Sequence, residues 1–185
     1  MSLSTVTSNA PYGYTLGMIP ALRVDGTLYP IEKLEAHKRA IPHLAISIFV
    51  FDGDYMLLQR RALTKYHCGG QWANTCCSHP HWGETLAASA DRRLLEELGF
   101  KLPLTPGRQV EYRADVGQGL TEHEHVTFYF GHAKRDELVF VPNPAEVMET
   151  RWATYREIAT EIAVAPERFV PWFRIYMERF PDFGM

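Results

Sequence analysis

The chain has 185 residues, with 19 Lys and Arg against 22 Asp and Glu, a formal net charge of −3, and 46% hydrophobic residues. It is too apolar for a disordered chain and too evenly charged to coat nucleic acid or an acidic membrane, and its length favours one domain. The longest apolar run, Leu44 to Phe51, is eight residues broken by Ser47, short of the ~18 a membrane helix needs, and no basic or apolar N-terminal stretch suggests a secretory signal.

Residues 1 to 17 are small, polar and turn-rich. They read as a flexible leader, in part foreign to the natural chain, with Met18 as a natural start and one domain over 18–185. LAISIFVF, Asp52-Gly53-Asp54 and YMLLQRR predict a β-hairpin, since Asp-Gly between apolar runs favours a tight turn. Residues 62 to 83, rich in Gly, His, Cys and Trp, predict an irregular functional loop. From Glu84 to Leu98 the period becomes helical, with Ala87, Ala90, Leu94 and Leu98 on one face and Gly99 as the stop. Glu84 is expected to open this helix, where the dipole favours an acid, and Arg93 and Glu97, four apart, share another face. Strands are predicted at Gln109 to Ala114, His125 to Ala133, Glu137 to Val141 and around Thr150-Arg151-Trp152, then two helices separated by Pro166. No repeat or linker divides the chain. The order of elements predicts an α+β fold.

Cys68, Cys76 and Cys77 are odd in number, two are adjacent, and no CxxC occurs. That excludes a disulfide framework and a zinc ribbon, and suits a reducing, cytoplasmic setting. Glu122 and Glu124, two apart in a predicted strand, face one way while His123 and His125 face the other. Two carboxylates on one face repel unless a cation lies between them. With His37, His43 and His79 they make five N/O donors, a mixed set that suits Mn²⁺, Fe²⁺, Zn²⁺ or Mg²⁺. His67, His81, His123, His125 and His132 read as surface or satisfied core residues.

The segment ETLAASADRRLLEELGF (84–100) resembles the Nudix box, G-x5-E-x7-R-E-U-x-E-E-x-G-U, where U is aliphatic. Glu84, Arg92, Leu94, Glu96, Glu97, Gly99 and Phe100 fall at matching positions. Two positions depart from it: Ser78 stands for the opening Gly and Arg93 for a Glu. In Nudix hydrolases that Glu helps hold Mg²⁺ on a diphosphate, whereas an Arg can grip a phosphate, so binding without hydrolysis is expected.

RRALTK (60–65), N-x-x-C-x-H-P at Asn74, Cys77, His79 and Pro80, and E-x-E at Glu122 and Glu124 with Tyr112 ten residues ahead resemble the type I isopentenyl diphosphate isomerase family. The likeness runs from about Val24 to Trp172. His37 and His43 are six apart, where the family's pair can be seven, with Pro42 holding the residue before it extended.

The resemblance implies a Nudix-type α/β/α sandwich with a mixed central sheet, and the isomerisation of isopentenyl to dimethylallyl diphosphate, feeding isoprenoid biosynthesis. It implies Glu124 and Tyr112 as the acid that protonates the alkene, and Cys77 as the base, its thiolate favoured by nearby positive charge. His37, His43, His79, Glu122 and Glu124 would hold one divalent metal, Mn²⁺, Zn²⁺ or Mg²⁺. Glu97 and the backbone carbonyl of Cys77 would hold a Mg²⁺ on the diphosphate. Lys33, Arg61, Lys65 and Arg93 would grip the phosphates, and Trp172 would offer an indole face to the carbocation. Arg60 alternates away from Arg61, Arg92 pairs structurally, and Cys76 and Trp152 pack in the core. A Nudix diphosphohydrolase and a diphosphate-sensing module are the competing readings. The only partner expected is the small prenyl diphosphate, with no nucleic acid, membrane or obligate protein partner.

Overall fold

A computed structural model describes residues 17–181 and Phe183. The expected leader, apart from Gly17, lies outside the described residues. Two short strands, β1 (Met18–Leu22) and β2 (Leu28–Glu32), form an antiparallel pair and lead into the helical turn α1 (Lys33–Lys38). Glu32 caps that turn by accepting from the Leu34 and Glu35 amides.

β3 (His43–Asp52) is the centre of one mixed sheet. Its side chains sort by parity. Ala45, Phe49 and Phe51 enter one buried cluster, while Ile46, Ile48 and Val50 enter another. A strand covered on both faces reads as one continuous apolar run, which is why its sequence shows no alternation.

The hairpin to β4 (Tyr55–Arg61) forms, but β3 and β4 pair only at Phe51–Met56 and Asp52–Tyr55. Beyond those pairs the strands part. β4 turns to β5 (Trp72–Ala73) and to β9 (Val147–Thr154), and β3 takes other neighbours. These are β6 (Cys76–Ser78) and, at Ala21–His43, β1, both antiparallel, and β8 (Leu120–His132), parallel. The stretch predicted as irregular therefore contains two short strands, because Ser47–Cys77 and Gln59–Ala73 pairing satisfies its backbone.

β7 (Thr105–Gly117) and β8 form a long hairpin that closes on Gln118 and Gly119, both at positive φ, the two-residue turn whose twist matches its strands. The predicted strand at Glu137 to Val141 is absent. That segment is largely exposed and has no ladder partner, and its Val139 and Val141 lie open to solvent.

Helix α2 (Leu86–Leu98) starts at the Thr85 cap, so Glu84 precedes it instead of opening it. Its buried face is Ser89, Ala90, Leu94, Glu97 and Leu98; Ala87, expected there, is exposed. Gly99 closes the helix in the left-handed region at φ 79°. A Cβ there would lie 2.5 Å from the Val141 carbonyl oxygen.

α3 (Tyr155–Val164) begins with a capping box between Thr154 and Glu157. A 3-10 turn at Pro166–Arg168 separates it from α4 (Pro171–Arg179). α2 packs with the Ile46, Ile48 and Val50 face, whereas Ile158 of α3 and Trp172, Phe173 and Tyr176 of α4 join the other cluster. The architecture is the expected α+β sandwich with helices on both faces of a mixed sheet. Among the described residues no helix is long and apolar enough to cross a membrane.

Candidate active site

Strand register assembles the site. His43 of β3 lies opposite Glu124 of β8, and Glu124 lies opposite Tyr112 of β7, so one row across three strands carries all three. Glu122 and Glu124 share a parity with Val126 and Phe128, which places both carboxylates on the face that α4 covers. On the same face, Ser47 pairs in register with Cys77. α1 brings His37, and the chain leaving β6 brings His79. The five ligand atoms offered by His37, His43, His79, Glu122 and Glu124 lie within 4.8 Å of one another, and all five residues are buried or nearly so.

The donors are poised as metal ligands are. Nδ1 of His37 lies 2.6 Å from the Lys33 carbonyl and Nδ1 of His43 lies 2.7 Å from that of Ile41. A ring that donates from Nδ1 turns a bare Nε2 inward. Nε2 of His37 then faces Glu122 Oε2 at 3.0 Å, and neither atom has a hydrogen-bond partner. Two buried lone pairs that close need a proton or a cation between them. The residues therefore fit a divalent ion, and His37 belongs to the group despite its spacing from His43. Burial together with Lys33 and His43 holds His79 well below its ordinary value, so it remains neutral.

Glu124 accepts from Tyr112 Oη at 2.6 Å and lies 2.8 Å from His79 Nε2. Burial raises its pKa, but His43, Glu122 and Tyr112 outweigh burial and hold it at about 2. The proton of this pair therefore sits on Tyr112, whose pKa burial and the Glu124 charge push well up.

Cys77 donates to Asn74 Oδ1 at 2.9 Å, accepts from Trp172 Nε1–H at 3.2 Å and lies 3.3 Å from Ser47 Oγ. Burial pushes its thiol up to about 12, and its hydrogen-bond contacts with Ser47, Trp172 and Asn74 only partly oppose that. Without metal or substrate, burial therefore favours the Cys77 thiol over the thiolate expected from its motif.

Lys33, Arg61, Lys65, Arg93 and Trp172 line one cavity together with Cys77, Glu97 and Glu122, and its volume is about 30 Å³. That leaves room for a water or two among these side chains. Several of the cations are already engaged. Arg93 pairs with Glu97 at 2.6 Å, Glu96 at 2.7 Å and Glu146 at 3.3 Å, and Lys65 pairs with Glu146. Glu97 also accepts from Gln59, and it stands apart from the five-donor group.

The guanidinium of Arg61 lies 5.4 Å from the Trp172 ring centroid, so one indole packs in the core and also meets a cation. Arg60 points out to Glu149 across a bulge between Arg60 and Arg61, and Arg92 pairs with Glu84 and Glu96, as expected of both. Cys76 is in the core, and Trp152 packs against it. His123 and His125 face Glu111 on the outer side.

Beside Ser47, two residues of the site were not anticipated. Glu146 holds Lys65 and Arg93, and no motif marks it. His67, read as ordinary, is buried with Nε2 3.1 Å from Glu122 Oε1. In sequence it is one more His in an irregular stretch.

A NUDIX domain profile matches residues 41–173, from just before β3 into α4. A solved structure from Deinococcus radiodurans shares the fold, with a TM-score of 0.71 over 88% of this chain and 98% of its own at 14% identity. Fold and site thus define a NUDIX protein. The isopentenyl-diphosphate Delta-isomerase of Cereibacter sphaeroides is 55% identical over 161 residues, 86% of this chain and 90% of the relative. That of Rhodobacter capsulatus is 50% identical over 166 residues, 89% and 93% of the two chains. The chain belongs to the isopentenyl-diphosphate Delta-isomerase family.

Proposed function

We propose that this chain, acting as one domain over residues 18–185, interconverts isopentenyl and dimethylallyl diphosphate and so supplies isoprenoid synthesis in the cytoplasm. The observation that carries this reading is one buried sheet face that holds both a hydrogen-bonded thiol, Cys77, and a phenol–carboxylate pair, Tyr112 and Glu124. An unactivated alkene must gain a proton at its terminal carbon and lose one from the neighbouring methylene. Tyr112 and Glu124 share the proton that is given. Cys77, a thiol at rest, takes the other as thiolate once its own Sγ proton has passed to solvent, and the base strength that its apolar setting confers suits that step. In the reverse direction the thiol donates.

Trp172, whose N–H is turned to Cys77, offers its ring to the developing positive charge. Lys33, Arg61, Lys65 and Arg93 bind the diphosphate, and Glu146 surrenders Lys65 and Arg93 to it. When bound, Mn²⁺, Zn²⁺ or Mg²⁺ at His37, His43, His79, Glu122 and Glu124 would acidify the proton near Glu124, and Mg²⁺ at Glu97 and the Cys77 carbonyl would neutralise the diphosphate.

Hydrolysis is disfavoured because Arg93 replaces a Nudix-box carboxylate and ties up Glu97. Purified protein incubated with Mg²⁺ and isopentenyl diphosphate in D₂O should incorporate deuterium and leave the diphosphate intact. Phosphate release without exchange would overturn the reading. Cys77→Ala should lower turnover by at least ~100-fold, whereas Cys76→Ala leaves it near wild type; near-normal turnover of Cys77→Ala rules out the thiol as base.

A further inference from the structure

His67 is a buried titratable group at the site that this chemistry does not use. Its Nε2 lies 3.1 Å from Glu122 Oε1, while the other oxygen, Oε2, lies 3.0 Å from His37 Nε2 and 3.9 Å from His43 Nε2. The two carboxylate oxygens have separate surroundings. Oε1 meets His67, and Oε2, which has no hydrogen-bond donor, is turned into the five-donor group.

His67 is itself held firmly. Its ring meets Trp172 edge-on at 5.8 Å and Tyr66 at 4.4 Å, and its carbonyl accepts from Arg61 Nη2 at 3.2 Å. Nδ1 is buried without a partner. A single ring proton therefore belongs on Nε2, where it donates to Glu122. His67 is not among the five residues whose ligand atoms converge, so it acts on a ligand instead of serving as one.

We infer that His67 is a positioning residue: its Nε2–H fixes the Glu122 carboxylate so that Oε2 is presented to a divalent cation. The inference rests on the metal-dependent reading above and adds a residue to it. A hydrogen bond to a ligating carboxylate restricts its rotation and raises the affinity of the site, typically by 10–100-fold. The same ring touches Trp172, and Arg61 grips its backbone, so one residue ties the cation group to both the indole and a phosphate-binding side chain.

The test uses the full chain stripped with chelator and titrated with Mn²⁺, free Mn²⁺ being read by electron paramagnetic resonance. His67→Phe keeps the ring contacts and removes the donor, and is expected to bind Mn²⁺ about 10–100-fold more weakly. His67→Gln restores an N–H and should recover most of that affinity. Its metal-free melting temperature should match that of the Phe variant. Turnover of His67→Phe should rise toward wild type as Mn²⁺ is increased, which a purely structural defect would not allow. If His67→Phe does not fold, His67→Leu takes its place with the same expected loss.

Wild-type affinity in the donor-less variant overturns the inference and leaves the metal site standing. So does equal weakness in the Phe and Gln variants. No Mn²⁺ binding by the wild-type chain removes the metal reading itself, and the inference with it.

Discussion

At the residue scale, the site rests on the contrast between buried groups that keep their charge and buried groups that lose it. Glu124 stays ionised because its contacts with His43 and Tyr112 outweigh burial, whereas Cys77, hydrogen-bonded but with no cation pressed against it, stays a thiol. Lys33 lies between these cases. Burial lowers its ammonium to about 8; Glu122 opposes the shift, and Lys65, Arg93 and Arg61 add to it. The charge that Lys33 would offer to a diphosphate is present below about pH 8 and lost above it. The expected outcome is a fall in kcat/KM for isopentenyl diphosphate as pH rises through about 8. Lys33→Arg, always charged, should move that fall upward by at least one pH unit. A pH profile unchanged by the substitution would show that Lys33 does not bind substrate.

At the element scale, the end of α2 is more demanding than a helix stop alone. Gly99 sits at φ 79°, and the Val141 carbonyl closes over it. An L-residue in that region costs about 1–2 kcal/mol before any clash is counted. Gly99→Ala should therefore destabilise the protein by about 2 kcal/mol or more, read as a lower urea midpoint. Because Asn143 N–H also bonds to the Glu97 carbonyl, a shift of this corner reaches the helix turn that carries Glu97. A midpoint equal to wild type would mean that the segment around Val141 yields freely.

The elements also separate what could be read in order from what could not. α2, the Asp-Gly turn and the two C-terminal helices were legible because each rests on local periodicity or turn chemistry. Ala87 was misplaced by one face, since an Ala-rich helix leaves its apolar stripe poorly defined. The strand expected at Glu137 to Val141 failed for another reason: a run of apolar residues suits a ladder, and none is available there.

At the scale of the whole molecule, metal, pH and stability are coupled. Burial opposes the His37 imidazolium, but Glu122 outweighs it and raises the His37 pKa above 6.5. In metal-free protein that stabilisation is complete below about pH 6.5 and is lost as pH rises through the higher folded value. A divalent ion held by His37 would displace the same proton, so its binding should strengthen as pH rises. Saturation at 100 times Kd contributes about 2.7 kcal/mol. The gap in melting temperature between Mn²⁺-loaded and metal-free protein should therefore widen from about pH 5.5 to 7.5. A gap that is constant across that range would place no titrating His in the cation site.

The sequence by itself determined the α+β order, the family, and most of the chemical inventory: Cys77, Tyr112, the Glu122–Glu124 pair and the three histidines. These are motif positions whose spacing along the chain carries their meaning. Only the tertiary structure decided that His67 faces Glu122, that Glu146 holds Lys65 and Arg93, and that Cys77 rests as a thiol. Each of those depends on contacts between segments far apart in the chain, or on exclusion of water by a helix that packs over the sheet. Neither distance through space nor desolvation leaves a period in the sequence.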